Sequence, residues 1–193
     1  MPRPGDRRPF ITDHAIAVIS EGGARALTHH AVDRAAGLPT GSTSYYFRTR
    51  SALVEGVVAR IRERSRDAFD AATPQHSPTI ESASSLIDDQ LWRLVRDRRA
   101  QALTAFALLP EVSRSPELRD GLRRCLFSAE LAVGLLEGLG STAPSEDAQD
   151  LIDFLNGLAM ALLFGGRDMS GRGGRTIRDS VARFLHERTR RIV

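Results

Sequence analysis

From Thr40 to Tyr46 the chain reads Thr-Gly-Ser-Thr-Ser-Tyr-Tyr, six hydroxyl-bearing residues in seven positions. These are hydrogen-bonding groups of short or planar shape, suited to lying against phosphate, sugar and base edges of a nucleic acid. Gly41 would let the backbone come close to a duplex. Phe47 supplies an apolar anchor to the segment's own core. Composition alone leaves a second reading open, in which residues 28–47 form a polar helical hairpin with no partner.

Other candidates for chemistry are few. All 27 basic residues are Arg, so a P-loop lysine, a Schiff base and a Ser–Lys dyad are excluded. The same bias is what a GC-rich genome produces. The sequence holds no HExxH, no GxSxG and no glycine-rich phosphate loop. Cys125 is the single cysteine, which excludes an internal disulfide and a cysteine-cluster metal site. His29 and His30 are adjacent, so on a helix they diverge and make a poor metal pair; they read better as exposed polar residues near DNA. Asp147, Asp150 and Asp153 share one helix face, where a hard cation could bind, but a solvated face is the better reading. Gly171-Arg172-Gly173-Gly174-Arg175 resembles a short RGG segment, yet a loop between helices suffices. The expectation is a chain with no catalytic residues, no metal and no cofactor.

The formal charge of +3 is unevenly placed. Residues 1–70 hold 11 Arg against 8 acids, whereas residues 71–193 hold 16 of each. Phosphate contacts supply non-specific DNA affinity, so the location matters more than the size. Arg3, Arg7 and Arg8 precede the first helix, either as an arm reaching a minor groove or flanking phosphate, or as a solubilising tail. No apolar run approaches the roughly 20 residues of a membrane span. The polar, Arg-rich start lacks the apolar stretch of a signal peptide. These features point to a cytoplasmic protein that makes no use of a membrane.

The elements that must position the hydroxyl cluster read as helices almost throughout, because apolar residues recur at helical rather than alternating spacing. Phe10–Glu21 is expected as the first helix, with Ile11, Ala15, Val18 and Ile19 on one face. A second begins after Thr28 as N-cap and ends at Gly37-Leu38-Pro39, where Gly37 is expected in a left-handed turn. The short segment Thr40–Phe47 and a longer helix Ser51–Ala71 follow. Residues 72–78 carry two prolines and are read as a domain boundary. Beyond it, Ser77-Pro78 is expected to open a helix, and Ala100–Leu109 to form another that ends at Pro110. Pro116 to about Gly138 is expected as one helix. Ser145–Phe164 is apolar over a wide arc and must be buried on two sides. The last helix opens at Thr176, with Asp179 three residues on as a capping-box variant. The fold class is thus all-α: an N-terminal three-helix helix-turn-helix domain over residues 1–71 and a C-terminal helical domain over 79–193.

Two short helices joined by a tight glycine turn make a helix-turn-helix. The string LTHHAVDRAAGLPTGSTSYYFRTRSAL, Leu27–Leu53, closely resembles the signature of tetracycline-repressor-like (TetR) regulators: a Thr opening the second helix, an Ala-Gly turn, and a small-residue recognition helix ending in Tyr-x-Phe before a basic residue. With Ile11, Ala15, Ile19 and Gly22, the resemblance spans about residues 10–60. It implies that Thr40, Gly41 and Ser42 face base edges, that Tyr45 and Tyr46 lie on phosphate and sugar, and that Thr28 and Arg50 clamp the DNA backbone. Ser44 completes the set of expected contacts. Pro39 departs from a common Ser N-cap, which leaves the start of the recognition helix open. Arg50 departs from a common Lys, which keeps the charge.

One such helix reads too few base pairs for useful specificity. Two copies about 34–36 Å apart would read a palindromic operator in double-stranded DNA. The resemblance implies a homodimer made by the last two helices, residues 145–164 and 176–192, where Gly157 and Ala161 permit close approach. It also implies a small-molecule effector bound among the helices of residues 79–164. Expected lining residues are Trp92, Phe106, Leu109, Phe127, Asn156, Met160 and Phe164, although plain core packing is the better account of each taken singly. Arg99, Glu111, Arg123, Glu130 and Asn156 are candidates to orient a ligand.

Overall fold

The computed structural model describes residues 6–70, 78–112, 115–165 and 176–189. The helices in chain order are α1 (Arg8–Gly22), a 3-10 turn (Ala24–Ala26), α2 (His29–Ala35), α3 (Ser42–Tyr46), α4 (Arg50–Asp70), α5 (Ile80–Arg96), α6 (Arg99–Val112), α7 (Pro116–Arg123), α8 (Ala129–Gly138), α9 (Pro144–Leu163) and α10 (Ile177–Thr189). No strand occurs among the described residues, so the all-α expectation holds. None of the described helices is long and apolar enough to cross a membrane. Arg3, most of the expected boundary at 72–78, the Gly171–Arg175 run and residues 190–192 lie outside the described residues.

The chain forms two compact units, Met1–Arg64 with Ala100–Leu126, and Ser65–Arg99 with Phe127–Val193. The first gathers α1, α2, α3 and most of α4 around Ile11, Ile19, Leu27, Val32, Leu53 and Ile61, all nearly inaccessible to solvent. α6 belongs to this unit, and its buried Thr104 hydroxyl donates to the Ile16 carbonyl of α1 at 3.0 Å. Arg60 and Arg64 of α4 both bond Asp13 of α1, at 2.8 and 2.7 Å. The bonds to Asp13, followed by that to Glu63, hold the Arg60 guanidinium above its ordinary value against the opposing effect of burial. Charge pairs and an apolar seam therefore join α1 to α4. In the second unit α5 packs on α9 and α10, and α8 packs on α9. Its core is aliphatic, with Leu91, Leu94, Leu136, Leu151, Ile152, Val181 and Leu185 buried.

Three elements depart from expectation. The helix expected from Pro116 to Gly138 is broken into α7 and α8. Cys125, Leu126 and Phe127 are all buried, at 0, 1 and 4% exposure. Three consecutive residues cannot share one helix face, so the chain leaves the helix to bury them all. Ser128 then caps α8, accepting from the Leu131 amide at 3.3 Å. Burial pushes the Cys125 thiol up to about 12. α6 does not stop at Pro110 but runs to Val112, ending within a turn of the missing donor. α5 is opened by Thr79 rather than Ser77, because Thr79 and Ser82 form a reciprocal capping box. The expected box at Thr176 and Asp179 is present, with both bonds at 3.1 Å.

Candidate nucleic-acid interface and effector cavity

Thr28 is the N-cap of α2, its hydroxyl accepting from the Ala31 amide at 3.0 Å. The helix ends with Gly37 at φ +61°, the left-handed turn expected of a helix-turn-helix. Pro39, Thr40 and Gly41 then form a tight turn closed by the Ser42 amide on the Pro39 carbonyl at 3.1 Å. Gly41 sits at φ +92°, ψ −7°, the third position of a type II turn, which disfavours any side chain. α3 consequently starts at Ser42, two residues later than expected, and spans only Ser42–Tyr46.

So short a helix has no local side chain to cap it. Asp33, on α2 and only 2% exposed, does so from across the turn. Its carboxylate accepts from the Gly41 amide at 2.8 Å, the Thr43 amide at 2.7 Å and the Thr43 hydroxyl at 2.6 Å. Burial works to raise the Asp33 pKa. The bonds from Thr43 and Gly41 and the nearby His30 outweigh it and hold the carboxylate below its ordinary value. His29 fixes the other end, its Nε2 donating to the Phe47 carbonyl at 2.7 Å; it is half-buried rather than the exposed residue expected. Phe47 is 6% exposed and lies on Gly56 of α4, where an added Cβ would stand 2.6 Å from its ring. Asp33 and His29 went unrecognised in the sequence. The available signal was negative: with proline and glycine before α3, its first amides needed an acceptor from elsewhere.

This anchoring leaves a polar ridge outward. Thr28, Thr40, Gly41, Ser44 and Tyr45 are exposed, while Ser42 and Tyr46 are half-buried. Tyr45 is 76% exposed, and its ring meets that of Tyr46 edge-on at 5.1 Å. Ser42 donates its hydroxyl proton to the Pro39 carbonyl at 2.6 Å, so outward it presents an acceptor. Arg50 departs from its implied role. It donates to the Ala24 carbonyl at 2.7 Å and to the Leu27 carbonyl, and pairs with Glu111 at 3.2 Å. The Leu27 carbonyl, and that of Ala24, which also accepts from the Leu27 amide at 3.2 Å, draw the guanidinium inward, and it clips α4 to the 3-10 turn. Arg48, not anticipated as a contact, is the exposed basic residue immediately after α3.

In the second unit, α5, α8, α9 and the segment before α8 line a partly open cavity of about 340 Å³. It falls among the helices where a ligand was expected, but only Phe127 of the anticipated residues lines it. Trp92 instead stacks under the Arg96 guanidinium at 4.5 Å. Phe106 and Leu109 lie on α6 in the other unit. Asn156 does not line the cavity, and Met160 on α9 and Phe164 just after it are 53 and 60% exposed. The expectation favoured large and aromatic side chains, whereas the walls are mostly aliphatic, with Ser82, Ser128 and Glu130 the polar residues toward the outside and Gln90 buried. Of the acidic trio, Asp147 and Asp150 pair with Arg188 at 3.3 and 2.8 Å, which offsets the charge a cation would need. No group of three or more potential metal ligands occurs among the described residues.

A family model described as "Tetracyclin repressor-like, C-terminal domain" matches residues 78–187. An HTH-type transcriptional regulator BetI from Rhizobium meliloti (strain 1021) is 27% identical over 147 residues, covering 76% of this chain and 71% of that protein. Among solved structures, a member of the TetR family from Streptomyces coelicolor A3 superposes with a TM-score of 0.69 at 22% identity, over 93% of this chain and 98% of the other. The multidrug binding protein EbrR complexed with ethidium gives 0.70 at 24% identity, over 94% and 98%. Both structures share the fold.

Proposed function

The chain belongs to the tetracycline-repressor-like family of transcriptional regulators, and on that premise we propose that it is a homodimeric repressor released from a palindromic operator by a small molecule. The observation that carries the reading is α3, held at both ends by Asp33 and His29 while Tyr45 stands 76% exposed. The helix-turn-helix within residues 1–71 presents Thr40, Gly41, Ser42 and Ser44 to base edges. Tyr45, Tyr46 and the N-terminus of α2 at Thr28 lie on the DNA backbone. Arg50 reaches phosphate only by leaving the carbonyls it now holds, so Arg48 is the readier phosphate contact.

Residues 145–164 and 176–192 form the dimer interface. Met160 and Phe164 support this, since they are four residues apart and exposed at the C-terminal end of α9. The cavity among α5, α8 and α9 is the effector site within the sensing half, residues 79–193. EbrR, of the same fold, binds ethidium. An effector shifts the balance between DNA-competent and released forms only by its differential affinity for the two. The cytoplasm is where such a regulator meets its DNA. An activator, or a regulator that answers to no ligand, would share this architecture.

Selecting the genomic fragments that the purified protein retains tests the reading. Palindromic sites with half-sites about 10 bp apart are expected, with affinity that falls as salt rises. Tyr45→Ala should weaken binding to every fragment alike, whereas Thr40→Ala should change which fragments are preferred. A monomer indifferent to duplex DNA at low salt would end the proposal, and fragments lost from the protein on adding an effector would separate the repressor from the ligand-independent form.

A further inference from the structure

Gly134 and Gly138 of α8 stand four residues apart, and only the second has a packing reason. A Cβ on Gly138 would lie 2.7 and 2.9 Å from atoms of the Pro78 ring, so glycine there lets α8 close on the chain just before α5. A Cβ on Gly134 would meet nothing within 4 Å. Glycine inside a helix is unfavourable relative to alanine, because it has more freedom to lose and no side chain to pack. Glu130, Gly134 and Gly138 follow one another at i, i+4 spacing and so share one face of α8. Glu130 and Gly134 line the cavity on its exposed side, and so does Pro78, which Gly138 closely approaches. A side chain at 134 would therefore stand in the opening of the cavity, between the acidic rim and the Pro78 contact.

Resting on the reading of this cavity as the effector site, we propose that Gly134 is its specificity-determining residue: the missing side chain keeps the opening wide enough for a flat, uncharged, apolar molecule. The class follows from the lining. Leu86, Ile87, Leu131, Leu151 and Leu155 offer apolar contact, and the Gln90 carboxamide is covered by protein, so the interior presents no polar group from that side chain. No cationic side chain lines the cavity to receive an anion, and Glu130 at the exposed rim repels one. Glu130 accepts from the Ser128 hydroxyl at 2.9 Å and stands in water, where an ion pair is worth little. A cation seated among the leucines would lose its hydration without a matching gain. Recognition therefore works through shape and apolar burial, and there the size of a single wall residue decides what enters. At about 340 Å³ the cavity lies near the lower end of ligand sites, which fits a body of one or two rings.

Three probes test this by calorimetry on the full chain: 2-naphthol, the single-ring p-cresol, and the 2-naphthoate anion. The wild type should bind 2-naphthol about tenfold or more tighter than 2-naphthoate, which brings a charge to a cavity with no cation. Gly134→Ala should weaken 2-naphthol about tenfold, the effect of one methyl group in a fitted apolar site. It should change p-cresol less than about twofold, because a narrower body clears the added methyl. The same variant should raise the melting temperature, so its loss of binding is not a loss of folding. Gly134→Leu should abolish 2-naphthol binding.

If Gly134→Ala leaves 2-naphthol unchanged, or weakens both neutral probes alike, the assignment of Gly134 is overturned and the cavity stands as the effector site. If 2-naphthoate binds as tightly as 2-naphthol, the uncharged class is overturned. If neither neutral probe binds the wild type, the effector-site reading falls and the Gly134 assignment with it. Should Gly134→Leu fail to fold, Gly134→Ala alone decides. A lowered melting temperature in Gly134→Ala would mean that the glycine serves the packing of α8, which also overturns the proposal.

Discussion

Around α3, position is set by polar bonds. A buried carboxylate takes three hydrogen bonds from the Gly41–Thr43 stretch, and an imidazole holds the Phe47 carbonyl. Around the cavity between α5, α8 and α9, the walls are mostly aliphatic, and the buried Gln90 amide has no hydrogen-bond partner among the described residues. Hydrogen bonds have direction and apolar contact does not. On the proposed function, a surface that meets a repeating lattice of phosphates gains from directional anchoring, whereas a cavity that admits and releases a small molecule gains from walls that tolerate displacement. The two regions show one chain applying each kind of force where its geometry is useful.

The contrast is most easily broken at Asp33. Asp33→Ala leaves two amides and a hydroxyl without their acceptor, at about 1 kcal/mol each, so a loss of roughly 3 kcal/mol is expected. Operator affinity, read by fluorescence anisotropy, should fall with it, while probe binding in the cavity should persist. Loss of both together would mean that the regions are not separately held. The wild type should show the same dependence on pH. The Asp33 pKa is depressed on folding, so its contribution is complete above the ordinary value of 3.8 and disappears as the pH falls through the lower folded value. Acid titration of the melting temperature should therefore steepen below 3.8 in the wild type, and Asp33→Ala should flatten that limb.

Two glycine substitutions sharpen the comparison at smaller scale. Gly56→Ala sets a methyl 2.6 Å from the Phe47 ring. Because that ring is buried, the substitution should destabilise by about 1–3 kcal/mol in denaturant titration. Gly134→Ala, in the middle of α8, meets nothing within 4 Å. There the gain in helix propensity should stabilise by about 0.5–1 kcal/mol. Equal effects at the two sites would erase the distinction between a tightly seated anchor and an open wall.

Much of this was legible in the sequence where the physics is local. Thr28 and Thr176 cap helices because their side chains bond amides within three residues, and such short-range pairs leave a pattern on the page. Phe47 as an anchor and Gly37 as a left-handed turn follow from residue type alone. What escaped depends on contacts across longer separations. Asp33 serves residues eight and ten positions on and resembles any solvated acid on a helix. Cys125-Leu126-Phe127 breaks a helix only because neighbours exist on several sides to bury it. The cavity lining escaped for the same reason: a helix of leucines declares that it is buried, not which of its faces stands off from its partner.

The placement of Cys125 has a practical consequence. The single thiol of the chain is fully enclosed and its ionisation is suppressed to about 12, and the thiolate is the form that alkylates and oxidises. The protein therefore stays free of adventitious cross-links without added reductant. Any cysteine introduced by design, such as Ser44→Cys, is the only one a maleimide dye or nitroxide will find. In the proposed homodimer, a label on each subunit then becomes a ruler for the distance between the two copies of α3, with the native background already silent.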